Sequence, residues 1–155
     1  MMRWFVVPEI KGSNPLLHTT LRIFVMGMYT ELVISTRIVD DPQVIAILKY
    51  MIGKTEEKPE LPDHPLFLTD RWDRMLNCCS YYFTPAVVHY LEYDKIGENW
   101  SFISRSDFKN YDNEVRKFFD WIDDYIDCSR GGEMIGYSRY EESDEPQIWY
   151  TQERG

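Results

Sequence analysis

Residues Tyr111–Cys128, YDNEVRKFFDWIDDYIDC, constrain this chain more than any other stretch. Val115, Phe118, Phe119, Ile122, Tyr125 and Ile126 recur at i, i+3, i+4, i+7, i+10 and i+11. That is the spacing of an amphipathic helix with one wide apolar face. The opposite face carries Asp120, Asp123, Asp124 and Asp127. A helix of this kind must bury its apolar stripe against a second layer. The spacing therefore predicts a central helix over 111–128, and the rest of the chain should supply the layer that covers it.

Short alternating runs predict that this layer is a sheet. Arg3–Val7 reads as a first strand stopped by Pro8, with a turn cluster at Lys11–Pro15. Thr19–Met26 and Tyr29–Val39 read as a hairpin across Gly27. Val87–Asp94 and Asn99–Ser106 form a second hairpin, and Met134–Tyr140 and Gln147–Thr151 a third. Asp41-Pro42 is a strong helix start, because Asp accepts from free backbone N–H groups and Pro at the first helical position loses no hydrogen bond. Gly53 suits the position just past that helix's end. A short helix is expected after Thr69 or Asp70, with Asp70, Arg71, Asp73 and Arg74 as exposed ion pairs. Lys54–Pro65, rich in proline and charge, reads as a flexible surface loop. Two segments, Thr19–Gly53 and Val87–Cys128, follow the same hairpin-then-helix plan. At 155 residues the chain is long enough for one core. The expected fold is a single α+β domain over residues 1–155: a largely antiparallel sheet built from hairpins, with two main helices packed on one face.

Charge narrows the function classes. The formal net charge is −9, and residues 107–155 hold thirteen acids against six bases. This argues against direct nucleic-acid binding, which needs a basic patch. No apolar run reaches the ~18 residues of a membrane helix, and MMRWFVVPEIKG lacks the core of a signal peptide. Cys78, Cys79 and Cys128 are odd in number and two of them are adjacent, which favours reduced thiols and a cytoplasmic location. These thiols and the scattered His18, His64 and His89 lack zinc spacing. His89, among apolar neighbours and without a catalytic partner, reads as structural. The adjacent glycines Gly131-Gly132 follow a helix instead of opening one, so they form no phosphate cradle. No cofactor is implied.

The acidic residues are the remaining candidates. Asp120, Asp123, Asp124 and Asp127, with Glu141, Glu142, Asp144 and Glu145, would form a divalent-metal site for an enzyme only if the final turn folded back onto the helix end. Otherwise these eight acids, with Trp121, read as a partner-binding surface that steers a basic protein and anchors it on a ring. Acids in a helix's last turns oppose its macrodipole, so Asp123, Asp124 and Asp127 are there at some cost to stability.

The C-terminal third, a helix followed by GYSRYEESDEPQIWY (Gly136–Tyr150), resembles the ends of small acidic immunity proteins of bacterial polymorphic toxin systems. Similar proteins occur as phage-encoded inhibitors of bacterial defence, some acting through nucleic-acid charge mimicry. The resemblance implies a cytoplasmic inhibitor without catalytic residues of its own. Its partner would be a toxin, nuclease or defence protein bound by direct contact. It carries over no individual contact residue.

Overall fold

A computed structural model describes the backbone of residues 2–10 and 19–154, and side chains from residue 28 to residue 154. The predicted α+β architecture is present: a five-stranded antiparallel sheet with two helices, together with a separate two-stranded ladder. The strands are β1 (Met2–Ile10), β2 (Thr19–Gly27), β3 (Thr30–Val39), β4 (Val88–Asp94), β5 (Asn99–Phe108), β6 (Met134–Tyr140) and β7 (Gln147–Tyr150). The large sheet has the order β4-β5-β3-β6-β7. The helices are α1 (Pro42–Met51) and α2 (Glu114–Ile122).

The first hairpin differs from the sequence expectation. β2 pairs with β1, from Met2 opposite Gly27 to Ile10 opposite Thr19, and not with β3. The reason lies in β3, which is occupied on both sides. It pairs with β5 from Thr30–Phe108 to Val39–Asn99, and with β6 from Thr30–Tyr140 to Ile34–Gly136. Pro8 does not stop β1; it lies opposite Leu21. In a two-stranded ladder every strand has a free edge, where a missing N–H is tolerated. The Lys11–Pro15 turn lies outside the described residues. The other two hairpins form as expected.

Alternation along β3 and β5 sets the two faces of the large sheet. Leu32, Ile34 and Ile38 of β3 and Phe102 and Phe108 of β5 are buried in one core with Val44, Ile45, Ile47, Leu48 and Met51 of α1 and Val115, Phe118, Phe119 and Ile122 of α2. Two hydroxyl residues interrupt the β5 stripe. Ser106 Oγ donates to the Met75 carbonyl at 2.8 Å. His89 Nε2, on the same face of β4, lies 2.6 Å from the Leu76 carbonyl. Both carbonyls belong to a run of turns at 70–76 that replaces the expected short helix. The sheet thus supplies the partners that this run cannot supply to itself. A 3-10 turn, Pro65–Leu68, comes earlier, its first N–H bound by His64 Nδ1.

α1 is capped as its sequence predicts. Asp41 Oδ1 accepts from the Gln43 and Val44 N–H groups at 3.0 and 3.1 Å. At the other end Lys54 N–H donates to Lys49 O and Gly53 N–H to Tyr50 O, with Gly53 at φ +75°. That is the paired closing bond of a helix ending on a left-handed residue. The loop that follows makes its own ties: Gln43 Nε2 donates to Glu60 O, and Lys54 Nζ to Leu91 O on the free edge of β4.

α2 is shorter than its periodicity suggests. After Ile122 the backbone tightens into a 3-10 turn, Asp123–Tyr125, and Ile126 is extended and bridges Ile38. Asp127 N–H donates to Arg37 O instead of continuing the helix, and Arg154 braces the stop. Its guanidinium donates to the Asp123 and Ile126 carbonyls, groups that a longer helix would have used internally. Tyr125 and Ile126 still pack on the core, so the apolar spacing is satisfied by a different backbone. At the N-terminal end Asn110 Oδ1 accepts the Val115 N–H at 3.0 Å, and Asn113 takes a left-handed conformation that Asn tolerates well.

β6 lies unusually close to β3 at one point. A Cβ on Gly136 would stand 2.1 Å from the Val33 carbonyl oxygen. Gly136→Ala is expected to cost at least about 2 kcal/mol through forced overpacking against backbone. For a chain of this size that lowers the thermal midpoint by roughly 4–8 °C, read by circular dichroism. An unchanged midpoint would show that the two strands do not approach this closely.

Candidate functional site

The nine residues expected to meet a partner do not share one surface. Asp120, Asp124 and Asp127 are exposed. Trp121 is only 4% exposed and Asp123 only 7%. Trp121 packs edge-on against Phe67 and Phe118 in the core, so it is not an anchor for a partner. Asp123 faces inward, where its Oδ1 accepts the Gln152 N–H at 3.1 Å and fixes the C-terminal segment. The 3-10 turn Asp123–Tyr125 continues directly from α2, so Asp123 and Asp124 do lie in the last helical turn, whereas Asp127 lies beyond it and the macrodipole argument does not apply to it. In the final turn Glu142, Asp144 and Glu145 are exposed, but Glu141 is 7% exposed. Its N–H donates to Tyr29 O, and its carbonyl accepts from the Tyr82 hydroxyl.

The two acidic groups also lie at opposite ends of the sheet. Asp127 N–H donates to Arg37 O near one end of β3, and Glu141 N–H to Tyr29 O beside the other. Eight residues of extended strand separate these anchors, about 27 Å. The carboxylates that a metal-dependent enzyme would need to converge are therefore held apart. Among the described residues, no group of three His, Cys, Asp or Glu side chains is placed to hold a metal ion.

Register adds acids that linear reading did not associate with Asp127. Asn99 lies opposite both Val39 and Asp94, and its Nδ2 donates to Asp127 Oδ2 at 2.7 Å. Asp94 and Glu98 of the β4–β5 turn, and Asp40 just past β3, thus reach the same end of the sheet, and all three are exposed. Trp100 Nε1 fixes Asp40 at 2.8 Å while Lys49 sits over the Trp100 ring. The pairing of the β4–β5 hairpin was legible in the sequence. Its placement beside the end of β3 was not, because no local signal joins residues 39 and 99.

A second polar feature was also missed. On the sheet face away from the helices, Arg105 of β5 donates to Glu31 Oε2 of β3 at 2.6 Å and to Asp107 Oδ1 at 2.8 Å. Arg139 of β6 reaches Glu31 Oε1 at 3.2 Å, and Tyr137 hydrogen-bonds Glu31. Glu31 and Asp107 are buried. The segment 78–87 closes over them: Asp107 Oδ2 accepts the Ser80 N–H, Arg105 donates to the Thr84 and Ala86 carbonyls, and Phe83 lies under Arg139. Tyr81 stands out from this pinned segment at 92% exposure. Burial works against the charge on Arg105, but its hydrogen bonds to Glu31 and Asp107 outweigh that and raise its pKa. Burial pushes the Asp107 carboxyl above the ordinary carboxylate value, although Arg105 pulls it down. Burial and then the Glu31 charge raise the Tyr137 phenol. Each carboxylate here is saturated by donors, so the cluster clamps segment 78–87 and leaves no free base. Extending the β5 alternation from Ser106 to Phe108 would have placed Arg105 and Asp107 on one face beside Glu31.

No family model, no curated protein and no solved structure matches the chain. None of the helices in the described residues is long and apolar enough to cross a membrane.

Removing Arg105 leaves two buried carboxylates without their shared donor. Arg105→Met is expected to cost about 3–5 kcal/mol near neutral pH, measured by urea denaturation. Asp107 already holds its proton to a higher pH in the folded than in the unfolded chain. Its contribution is thus present below the ordinary carboxylate range and is lost as pH rises through the folded value. Without Arg105 that folded value rises further, so the stability deficit of the variant should shrink on acidification. A deficit that stays constant or grows between pH 7 and pH 5 would contradict this assignment.

Proposed function

We propose that this protein is a small acidic binder of the immunity or inhibitor type, which neutralises a basic protein such as a toxin or nuclease by direct contact in the cytoplasm. The observation that carries the reading is the outward set Asp120, Asp124 and Asp127. These residues are exposed on a segment whose neighbours Trp121, Ile122, Asp123 and Ile126 are buried. The same segment both builds the core and presents carboxylates from a rigid base, which is what a preorganised charged surface requires. Asp40, Asp94 and Glu98 extend the surface at the same end of the sheet, while Arg37, Lys49 and Lys95 limit its net charge. An uneven acidic rim of this kind steers a basic partner and raises its association rate more than its final affinity. The acidic C-terminal third is in keeping with the family resemblance noted in the sequence.

Asp120→Lys/Asp124→Lys/Asp127→Lys tests this surface directly. Used as bait in cells of the native host, the wild-type chain should capture a basic protein and release it as salt rises from about 0.05 to about 0.5 M. The triple variant should keep its circular-dichroism spectrum and thermal midpoint and bind the same protein at least about tenfold more weakly, a loss of about 1.4 kcal/mol. Equal binding by the two folded proteins would sink the proposal and leave the acids as ordinary solvated surface.

A further inference from the structure

Against the negative charge of the whole chain, one pocket has, among the described residues, only cations as its charged lining. It lies beside the start of β3 and the end of β5, has a volume of about 180 Å³, and is bounded by Tyr29, Arg71, Arg74, Met75, Cys78, Phe108 and Lys109. Met75 and Phe108 lie beneath it at 0% and 2% exposure, so the accessible lining is the Tyr29 ring, Cys78 and the stems of the three cations. Arg71 sits 4.9 Å from the Tyr111 ring centroid, and Lys109 Nζ 5.5 Å from that of Tyr29. Ring contacts orient these cations without neutralising them. Among the described residues neither Arg71 nor Lys109 has a carboxylate within ion-pair distance, and Arg74 has only its neighbour Asp73, at 3.8 Å. The larger groove beside α1 shows the contrast: there Lys49, Lys54 and Lys58 are matched by Asp40, Glu57 and Glu60. In a chain with a net charge of −9, three cations line this pocket and, among the described residues, no acid does, which makes it a site of unmet charge.

We propose that this pocket binds a small organic monoanion, with a carboxylate head at Arg71, Arg74 and Lys109 and a short apolar body against Tyr29 and Cys78. An apolar cavity with a few convergent charged groups is the usual form of a small-ligand site. The volume suits a body of a few carbon atoms and excludes a long lipid chain. The site is independent of the Asp120–Asp127 surface, which lies at the other end of β3.

Hexanoate and hexanol, which share a six-carbon chain and differ in charge, provide the test when titrated against isotope-labelled protein and read by amide NMR shifts. Hexanoate should saturate, with the largest shifts at Met75, Cys78, Phe108 and Lys109, and should bind at least about fivefold more tightly than hexanol. Arg71→Gln/Lys109→Gln should remove that difference by bringing hexanoate binding down to the level of hexanol, with the circular-dichroism spectrum retained. Equal binding of the two probes by the wild type, shifts mapping elsewhere, or no saturation by about 10 mM hexanoate, a concentration at which even weak millimolar binding would be evident, would each overturn the proposal.

Discussion

Among the described residues, the guanidinium of Arg105 holds together more of this molecule than any other single group. It joins β3 to β5 through Glu31 and Asp107, and it pins segment 78–87 through the Thr84 and Ala86 carbonyls. Glu31 then carries the network on to β6 through Arg139 and Tyr137. Burying this much charge is tolerable only because each carboxylate meets several donors; a half-satisfied cluster would be worse than an apolar one. The same strand works on its other face too, where Ser106 holds the Met75 carbonyl. Residues 69–87 have no regular structure, a long stretch for a compact domain. They are ordered because β5 binds them on both of its faces as they cross its end.

That dependence explains which parts of the fold could be read from the chain. The α1 boundaries follow from local chemistry alone, since Asp41 and Gly53 act on backbone groups within a few residues. The β4–β5 and β6–β7 hairpins are local as well. The first hairpin was assigned to the wrong neighbour because Gly27 permits a tight connection to β3 as readily as β1 permits pairing with β2. The deciding fact, that β3 is filled on both sides, involves strands about 70 and 100 residues later and has no local trace. The end of α2 is the same kind of case. Its apolar spacing runs cleanly to Ile126, and the groups that hold the chain out of the helix there, Arg37, Ile38 and Arg154, are distant in sequence.

The candidate surface was legible to the extent that it depended on composition, and illegible where it depended on backbone direction. Asp120, Asp123, Asp124 and Asp127 look equivalent on a helical projection. Once the helix tightens after Ile122, Asp123 turns inward to the Gln152 N–H and the other three remain outside. Trp121 invited a binding role because aromatic residues anchor interfaces, yet the same size and apolarity suit it to the core between Phe67, Phe118 and Tyr125. Aromatic rings that do face solvent include Tyr81 of the pinned segment, which no periodicity marked.

The excess of acid is best understood as two separate poles. The anchors of Asp127 and Glu141 on β3 stand about 27 Å apart, more than three times the ~8 Å screening length at physiological ionic strength. Charge at one pole therefore has little influence on a partner at the other, and the whole-chain figure of −9 overstates the field that any one partner meets. Each pole must be judged on its own lining. At the Asp127 end, exposed carboxylates outnumber nearby bases and face solvent from a rigid base. At the Glu141 end, where Glu142, Asp144 and Glu145 are exposed, Lys109, Arg71 and Arg74 line a small pocket that, among the described residues, includes no acid. The proposed protein surface at one end and the proposed small-anion site at the other are compatible in one domain because solvent screening uncouples them.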